Sequence, residues 1–269
     1  MLKKILVTVC LFFVVTAVAN SAVEIDKTRL ELTADAGEKY VSKIKLTNKN
    51  TTDVTIEIAP SFYRHLYTKG TIKPEGNTEL PSCQAWIFFE KNNYLIKAGE
   101  SIEVPLTLDI PSGKNGEYVA SILLDQKENN ETLNTEPDNI KINLVNRLAI
   151  PVYLIIKDTC KISAEITEFT YLNPKDFDIS TLNTNAFVIT IKNTGTAHIR
   201  AKGIITIFDG NGNVIKNIPV GETFPIFGGF SEKIPVFTEF LQPGKYKAIA
   251  TIAISATETL QAKTEFEVK

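Results

Sequence analysis

Strict alternation of apolar and polar residues limits this chain to β-structure more strongly than any other feature of its sequence. The alternation is clear in residues 41–47, 54–58, 102–108 and 187–191, which are rich in Ile, Val, Thr and Phe. The three- and four-residue spacing of an amphipathic helix is nearly absent. Because each such strand has one apolar face, two packed antiparallel sheets are expected. The sequence therefore predicts an all-β fold.

A weak internal repeat indicates that this pattern occurs twice. Residues 48–51 (Asn-Lys-Asn-Thr) recur as 193–196 (Asn-Thr-Gly-Thr). Residues 116–120 (Gly-Glu-Tyr-Val-Ala) recur, in the same order, as 244–248 (Gly-Lys-Tyr-Lys-Ala). Two ordered signals favour two domains of one architecture over chance similarity of turns.

The tyrosines of the second repeat indicate which architecture this is. Tyr118 and Tyr246 each stand at the start of a late strand, as in the tyrosine corner of immunoglobulin-like sandwiches, where the phenol closes a loop through a hydrogen bond. We therefore predict two tandem immunoglobulin-like β-sandwich domains, an N-terminal one over 23–157 and a C-terminal one over 161–269, after a cleaved signal peptide.

Residues 1–22 are interpreted as that signal peptide. A basic start precedes the apolar run 5–18, and residues 17–19 (Ala-Val-Ala) fit the small-x-small cleavage rule, with cleavage after Ala22 as the alternative. No second long apolar run follows, so we expect no integral membrane anchor. The expected location is periplasmic or extracellular.

Charge narrows the class of partner. Without Lys3 and Lys4 of the signal peptide, the 29 basic residues become 27, against 31 acidic ones. Nucleic-acid binding proteins need a clustered basic face. We therefore expect a protein client or an envelope or surface protein as partner, and no nucleic acid.

The two cysteines of the mature chain leave two alternatives open. Cys83 and Cys160 could pair as a disulfide, because export leads to an oxidising compartment. They could also remain two thiols, because a chain of this length can bury enough apolar surface to fold without a disulfide.

The sequence lacks the residues of common active sites. Hydrolases of the Ser-His-Asp or Cys-His kind need a histidine beside both nucleophile and carboxylate, and zinc sites need clustered Cys and His. The two histidines, His65 in the long insertion 62–85 and His198 at a strand start in the second domain, are both interpreted as surface residues. We expect no enzyme, no cofactor and no metal site.

Residues 139–147 carry the sharpest pattern for a function. Lys141 and Asn143 point to one face of this predicted strand, and the apolar residues point to the other: Ile140, Ile142 and Leu144. The simpler explanation is a last sandwich strand with its inner face in the core. The alternative is a strand that binds a partner.

On these residues the N-terminal domain resembles the PapD-like family of periplasmic pilus-assembly chaperones. Residues 24–30 (Glu-Ile-Asp-Lys-Thr-Arg-Leu) are similar to the opening strand of that family, which contains a Thr-Arg pair. The resemblance implies that Arg29 lies in the cleft between the domains and binds the terminal carboxylate of a client subunit. It also implies that the three apolar residues complete the client's sandwich by strand donation.

The same resemblance leaves one cleft position unfilled. The family's cleft lysine would fall at Ala149, so Arg147, on the same strand face, is the expected substitute. A looser resemblance covers both domains: Trp86-Ile87, residues 95–100 and Gly116-Glu117-Tyr118 are similar to WxL-interacting cell-surface proteins.

Together these patterns predict an extracytoplasmic protein-binding module that acts as an assembly chaperone for pilus or surface subunits by strand donation. The alternative is a structural or adhesive cell-envelope binding protein without chaperone activity. A carbohydrate-binding sandwich, with Trp86 and Tyr63 stacked on a sugar ring, is a third interpretation.

Overall fold

The computed structural model confirms the all-β prediction. The described chain consists of strands and one short 3₁₀ turn, Gln84–Trp86, and contains no α-helix. No helix within it is therefore long and apolar enough to span a bilayer. The predicted signal peptide, 1–22, lies outside the described residues, which are 23–64, 68–75, 79–127, 145–172 and 185–268.

The first half of the chain forms two sheets packed against each other. Its strands are β1 (Val23–Ile25), β2 (Leu30–Ala34), β3 (Lys39–Asn48), β4 (Val54–Ser61), β5 (Thr71–Ile72), β6 (Ile87–Phe89), β7 (Asn93–Ile96), β8 (Ser101–Asp109), β9 (Glu117–Lys127) and β10 (Val145–Ile156). One sheet has the order β1-β3-β8-β6 and the other β2-β10-β9-β4-β7. Only β5 belongs to neither.

The second half forms a second pair of sheets. Its strands are β11 (Ala164–Leu172), β12 (Asn185–Asn193), β13 (Lys202–Phe208), β14 (Val214–Val220), β15 (Ser231–Thr238), β16 (Gly244–Ala253) and β17 (Thr259–Val268). The sheet orders are β11-β12-β15-β5 and β14-β13-β16-β17. The molecule thus consists of two tandem immunoglobulin-like β-sandwiches.

Alternation places one face of each strand in a core. In β8, Val104, Leu106 and Leu108 are fully buried, whereas Glu103 points to solvent. Burying an aliphatic side chain of this size stabilises the fold by about 1.5–3 kcal/mol. Each sandwich has its own apolar cluster, and the cluster of the second one also contains Val119 and Tyr153 from the first half of the chain.

The sequence repeat at Asn48 and Asn193 is a structural repeat. Both side chains are completely buried. Each amide nitrogen donates to the carbonyl oxygen four residues later and to a second, more distant carbonyl, and each amide oxygen accepts from the N–H two residues later, all at 2.7–3.0 Å. The buried amide therefore closes the same corner in both sandwiches, where an unpaired polar group would be costly.

The tyrosine-corner prediction is correct for one tyrosine and wrong for the other. The Tyr246 hydroxyl donates to the carbonyl of Gln242 at 2.7 Å. The Tyr118 hydroxyl makes no such bond within the described chain. Its ring instead packs against Trp86, with 4.5 Å between centroids, while Lys114 covers the indole at 5.8 Å. Trp86 is thus a packing residue rather than an open stacking platform.

Strand β5 ties the two sandwiches together. It comes from the insertion 62–85 but pairs antiparallel with the outer edge of β15. Next to it, the Lys233 N–H donates to the carbonyl of Gly70 at 2.8 Å. The Glu232 carboxylate accepts hydrogen bonds from the hydroxyls of Thr71, at 2.7 Å, and Thr68. Residues 68–72 of the insertion, whose role the sequence left open, therefore form a strap across the two halves.

Substituting Gly70 with Ala is expected to detach this strap, because a Cβ at that position would lie 2.2 Å from the carbonyl oxygen of Lys233. We expect faster amide hydrogen exchange at Lys233 and a loss of about 1–3 kcal/mol of unfolding free energy in urea. Gly221→Ala is the matched control, because a Cβ there has no atom within 4 Å. Unchanged exchange at Lys233 in Gly70→Ala would contradict the strap.

Candidate functional site

Strand β10 is paired along its whole length on one side and along only part of it on the other. It pairs antiparallel with β9 from Val145 to Ile155. Its parallel pairing with β2 begins only at Val152, opposite Leu30. Among the described residues, Val145–Pro151 therefore has a free strand edge, which we name the open edge. Such an edge presents N–H and C=O groups that can pair with another strand.

A sheet change at the start of the chain creates the open edge. Strand β1 pairs with β3 in one sheet, and β2 pairs with β10 in the other. The chain crosses between them at residues 26–29 and reaches β10 only at Leu30. Pro151 is the last residue before β2 joins, a position where a strand with one neighbour tolerates the missing N–H.

The predicted client-binding residues continue the alternation of this strand in sequence. In β10, Leu148 and Ile150 pack on the core of the first sandwich. The predicted apolar residues also have even numbers, and they lie outside the described residues: Ile140, Ile142 and Leu144. Their role therefore stays a prediction.

Arg147, the expected cleft cation, is engaged elsewhere. Its Nε and Nη2 atoms donate to the two carboxylate oxygens of Asp125 on β9, each at 2.6 Å. These hydrogen bonds hold the pKa of Asp125 below its usual value and raise the pKa of Arg147. Arg147 is exposed and lies outside the cleft described next.

A cleft of about 260 Å³ lies between the sandwiches and borders the open edge. It is lined by Thr28, Arg29, Tyr63, Arg64, Ser121, Ala149, Pro151, Tyr153, Arg200, Phe224 and Pro225. Ala149 and Pro151 belong to β10, so the cleft and the open edge form one continuous surface.

Arg29 lies in this cleft, immediately before β2. Its Nε contacts Glu31 at 2.9 Å, and its Nη2 contacts Glu222 of the second sandwich at 3.0 Å. The Arg29 side chain is 40% exposed. Ion pairs with this exposure typically contribute about 0–1 kcal/mol, so a ligand carboxylate could exchange with either glutamate at little cost.

Aromatic rings form the floor of the cleft. The hydroxyls of Tyr63 and Tyr153 are hydrogen-bonded at 3.1 Å, and their ring centroids are 5.5 Å apart. Arg200 lies over the Tyr153 ring at 5.2 Å and donates to Glu31 at 2.7 Å. Burial raises the pKa of Tyr63. Tyr63 comes from the insertion and Arg200 from the second sandwich, so both halves of the chain build the floor.

Behind this floor, a buried polar pair joins the two sandwiches. The Glu117 carboxylate accepts the backbone N–H of His198 at 2.7 Å and a short hydrogen bond from its Nδ1. The two side chains are only 7% and 8% exposed. The interpretation of His198 as a surface residue is therefore wrong: its ring is buried and packs against Tyr153, with 4.7 Å between the ring centroids. His65 lies outside the described residues.

Glu117→Ala should weaken the contact between the two sandwiches, because it leaves the buried imidazole and the backbone N–H of His198 without their acceptor. We expect a loss of about 3 kcal/mol in urea unfolding. Glu239→Ala is the control: it removes the ion pair with Lys216, in which Glu239 is 89% exposed, and should change stability by less than about 0.5 kcal/mol. Equal losses for both variants would show that the Glu117 pair does not hold the junction.

The two cysteines are free thiols in this structure. Cys83 is completely buried in the core of the first sandwich, and burial raises its pKa to about 12. Cys160 lies between the sandwiches in sequence and is partly exposed. The structure thus contains the two thiols that the sequence left open as the alternative to a disulfide.

The cleft also contains residues that the sequence did not single out. Arg64, Arg200 and Phe224 lie on loops or beyond the first sandwich, where no spacing relates them to Arg29. The available signal was the length of the insertion, which marked a functional loop without its contacts. Within the described ranges, no three His, Cys, Asp or Glu side chains are grouped as metal ligands would be.

No family model and no curated protein matches this sequence. Solved structures with a similar fold include the YadV chaperone, at 10% identity and a TM-score of 0.44, covering 91% of this chain and 100% of that one. The Pseudomonas aeruginosa CupB2 chaperone is 7% identical, with a TM-score of 0.42 and the same coverage.

A further match is a chain in the complex of the chaperone CsuC with the tip adhesion subunit CsuE from Acinetobacter baumannii. That chain is 14% identical to this one, with a TM-score of 0.43, and the match covers 90% of this chain and 97% of that one. Each of these solved structures contains a chaperone.

Proposed function

We propose that this protein is an exported assembly chaperone for pilus or surface subunits, and that it binds its client by strand addition along the open edge of β10. The observation that carries the proposal is the half-paired state of β10: among the residues that the structure describes, it has one neighbouring strand from Val145 to Pro151 and two from Val152 to Ile155. The predicted signal peptide supports an extracytoplasmic location.

Backbone pairing alone would give modest affinity. A backbone hydrogen bond that replaces one to water contributes about 0.5–1.5 kcal/mol net. Only alternate residues of an edge strand direct their N–H and C=O groups toward a new neighbouring strand. Each of the three apolar residues that precede the open edge would add about 1.5–3 kcal/mol on burial in a client. The apolar residues therefore dominate affinity, and the backbone supplies direction and register.

The cleft supports the same proposal. It lies at the end of the open edge, so a client strand paired with β10 would reach it directly. Arg29 provides a cation there, at the position that the sequence resemblance assigns to a client's terminal carboxylate. Its ion pairs with Glu31 and Glu222 leave the guanidinium partly exposed.

The proposal is tested by site-specific photo-crosslinking in the organism that encodes the protein. A benzophenone amino acid at Asn146, exposed on the open edge, is expected to give an adduct of one discrete mass with an exported protein. The same probe at Ile204 is the control, because Ile204 is exposed on β13, which has paired neighbours on both sides.

Substitution then tests the mode of binding. Ile142→Asp is expected to reduce the Asn146 adduct at least about tenfold, the equivalent of one lost apolar contact. Asn143→Asp adds the same charge at a position of opposite alternation and should leave the adduct in place. An adduct that persists in Ile142→Asp, with the circular dichroism spectrum unchanged, would rule out strand addition through this segment.

Removing the gene separates the chaperone from the adhesive or structural alternative. A chaperone's client is expected to be degraded or to aggregate when the chaperone is absent, since it would lack a strand. The partner of an adhesive module would keep its abundance and its fold. Immunoblotting of the crosslinked partner in the deletion strain distinguishes the two.

A further inference from the structure

Gln126, near the end of β9, is a buried polar side chain whose hydrogen-bonding groups are unused. The residue is only 2% exposed. Within the residues that the structure describes, neither its Oε1 nor its Nε2 has a hydrogen-bond partner. A buried amide in this state destabilises the free protein, because it loses its hydrogen bonds to water without replacing them. Native proteins retain few such groups, and those that they retain often serve a function.

The position of Gln126 breaks the alternation of β9. The preceding residues on the same strand face belong to the core of the first sandwich: Ala120, Ile122 and Leu124. Gln126 occupies the next inward position, where its cross-strand neighbour on β4 is Ile56, which is buried. An apolar side chain would continue this pattern and would leave no amide unpaired. A polar residue at such a position points to a function that packing does not supply.

Gln126 lies in the row of residues that leads to the open edge. Its neighbour on the other side is Asn146 of β10, which is exposed and makes no hydrogen bond to it. A strand added to the open edge would place one residue opposite Asn146, with its side chain on the same sheet face as Gln126. The added strand and β9 would be about 10 Å apart, twice the usual strand spacing. Two polar side chains joined by a hydrogen bond can span that distance.

The surrounding charges favour a neutral partner for this amide. The charged residues next to it along β9, Asp125 and Lys127, have the opposite alternation and pair with Arg147 and Glu57. A charged client side chain on the inward face would therefore lose water without gaining a counter-ion from these pairs. A hydroxyl or carboxamide side chain can instead pair with an amide that offers both a donor and an acceptor.

We propose that Gln126 fixes the register of the client strand by pairing with one Asn, Gln, Ser or Thr side chain opposite Asn146. Apolar contacts alone tolerate a shift of two residues, because the same strand face stays buried. A buried polar pair does not, because the shift leaves the amide against an apolar side chain. One buried Asn sets the register of coiled coils in the same way. The inference rests on the proposed function, and it states which client strands fit the open edge.

The first test is the stability of the full mature protein without a client. Gln126→Met replaces the amide with an apolar side chain of similar length, and it should shift the urea midpoint upward because the unpaired amide is removed. Gln261→Met is the matched control: Gln261 is exposed on β17, and its replacement should leave the midpoint unchanged. A lower midpoint in Gln126→Met would show that the amide stabilises the fold, and it would overturn the inference.

The second test maps the register of the client in the organism. A benzophenone amino acid at Ala149, exposed on the open edge with the opposite alternation to Gln126, is expected to crosslink to one client residue, identified by tandem mass spectrometry. In Gln126→Met we expect crosslinks at positions two residues apart. The yield at the original position should fall about tenfold, the effect of leaving one client polar group unpaired. Gln261→Met should keep the single position.

Two further results would overturn the inference: a single, unchanged crosslink position in Gln126→Met, or a mapped client residue opposite Asn146 that is apolar or charged. Either would leave the proposed function standing if the Asn146 adduct still forms. Absence of that adduct would instead remove the strand-addition proposal, and the register role of Gln126 with it, even if Gln126→Met is the more stable protein.

Discussion

The partners available to the backbone of β10 determine the rest of the site. A strand must pair its N–H and C=O groups or leave them to solvent or to another chain. From Val152 onward β10 lies between two strands, and before that residue it has one described neighbour. The crossing at residues 26–29 is the cause, because the chain spends these residues in changing sheets. The same crossing brings Arg29 to the cleft, so edge and cleft have one origin.

Rigidity of the junction gives that surface its shape. Three contacts of different chemistry span the two sandwiches: the strap on β15, the buried Glu117 and His198 pair, and the aromatic floor around Tyr153. None of them is a long exposed ion pair of the kind that contributes little. A cleft held this way keeps its width without a ligand, which lowers the ordering cost of binding.

Local sequence patterns predicted the parts of this structure that depend on local chemistry. Alternation predicted β8 and its buried face. The repeated asparagine segments predicted two domains of one architecture, and this signal was local because each buried amide bonds to residues two and four positions away. The tyrosine-corner prediction failed for Tyr118 because Trp86, about thirty residues away in sequence, provides a packing partner that no local pattern shows. The buried position of His198 was missed for the same reason, because it depends on contacts with Glu117 and Tyr153 across the two sandwiches.

The strap has a consequence for the order in which the molecule is made. Thr71 and Glu232 are separated by 161 residues, and closing so large a loop is slow and entropically costly. During synthesis and export the first sandwich can be complete once residue 156 has emerged. The strap segment then has no strand to join until β15 follows. An incomplete chain can therefore present a free β10 edge, but only the finished chain has a cleft.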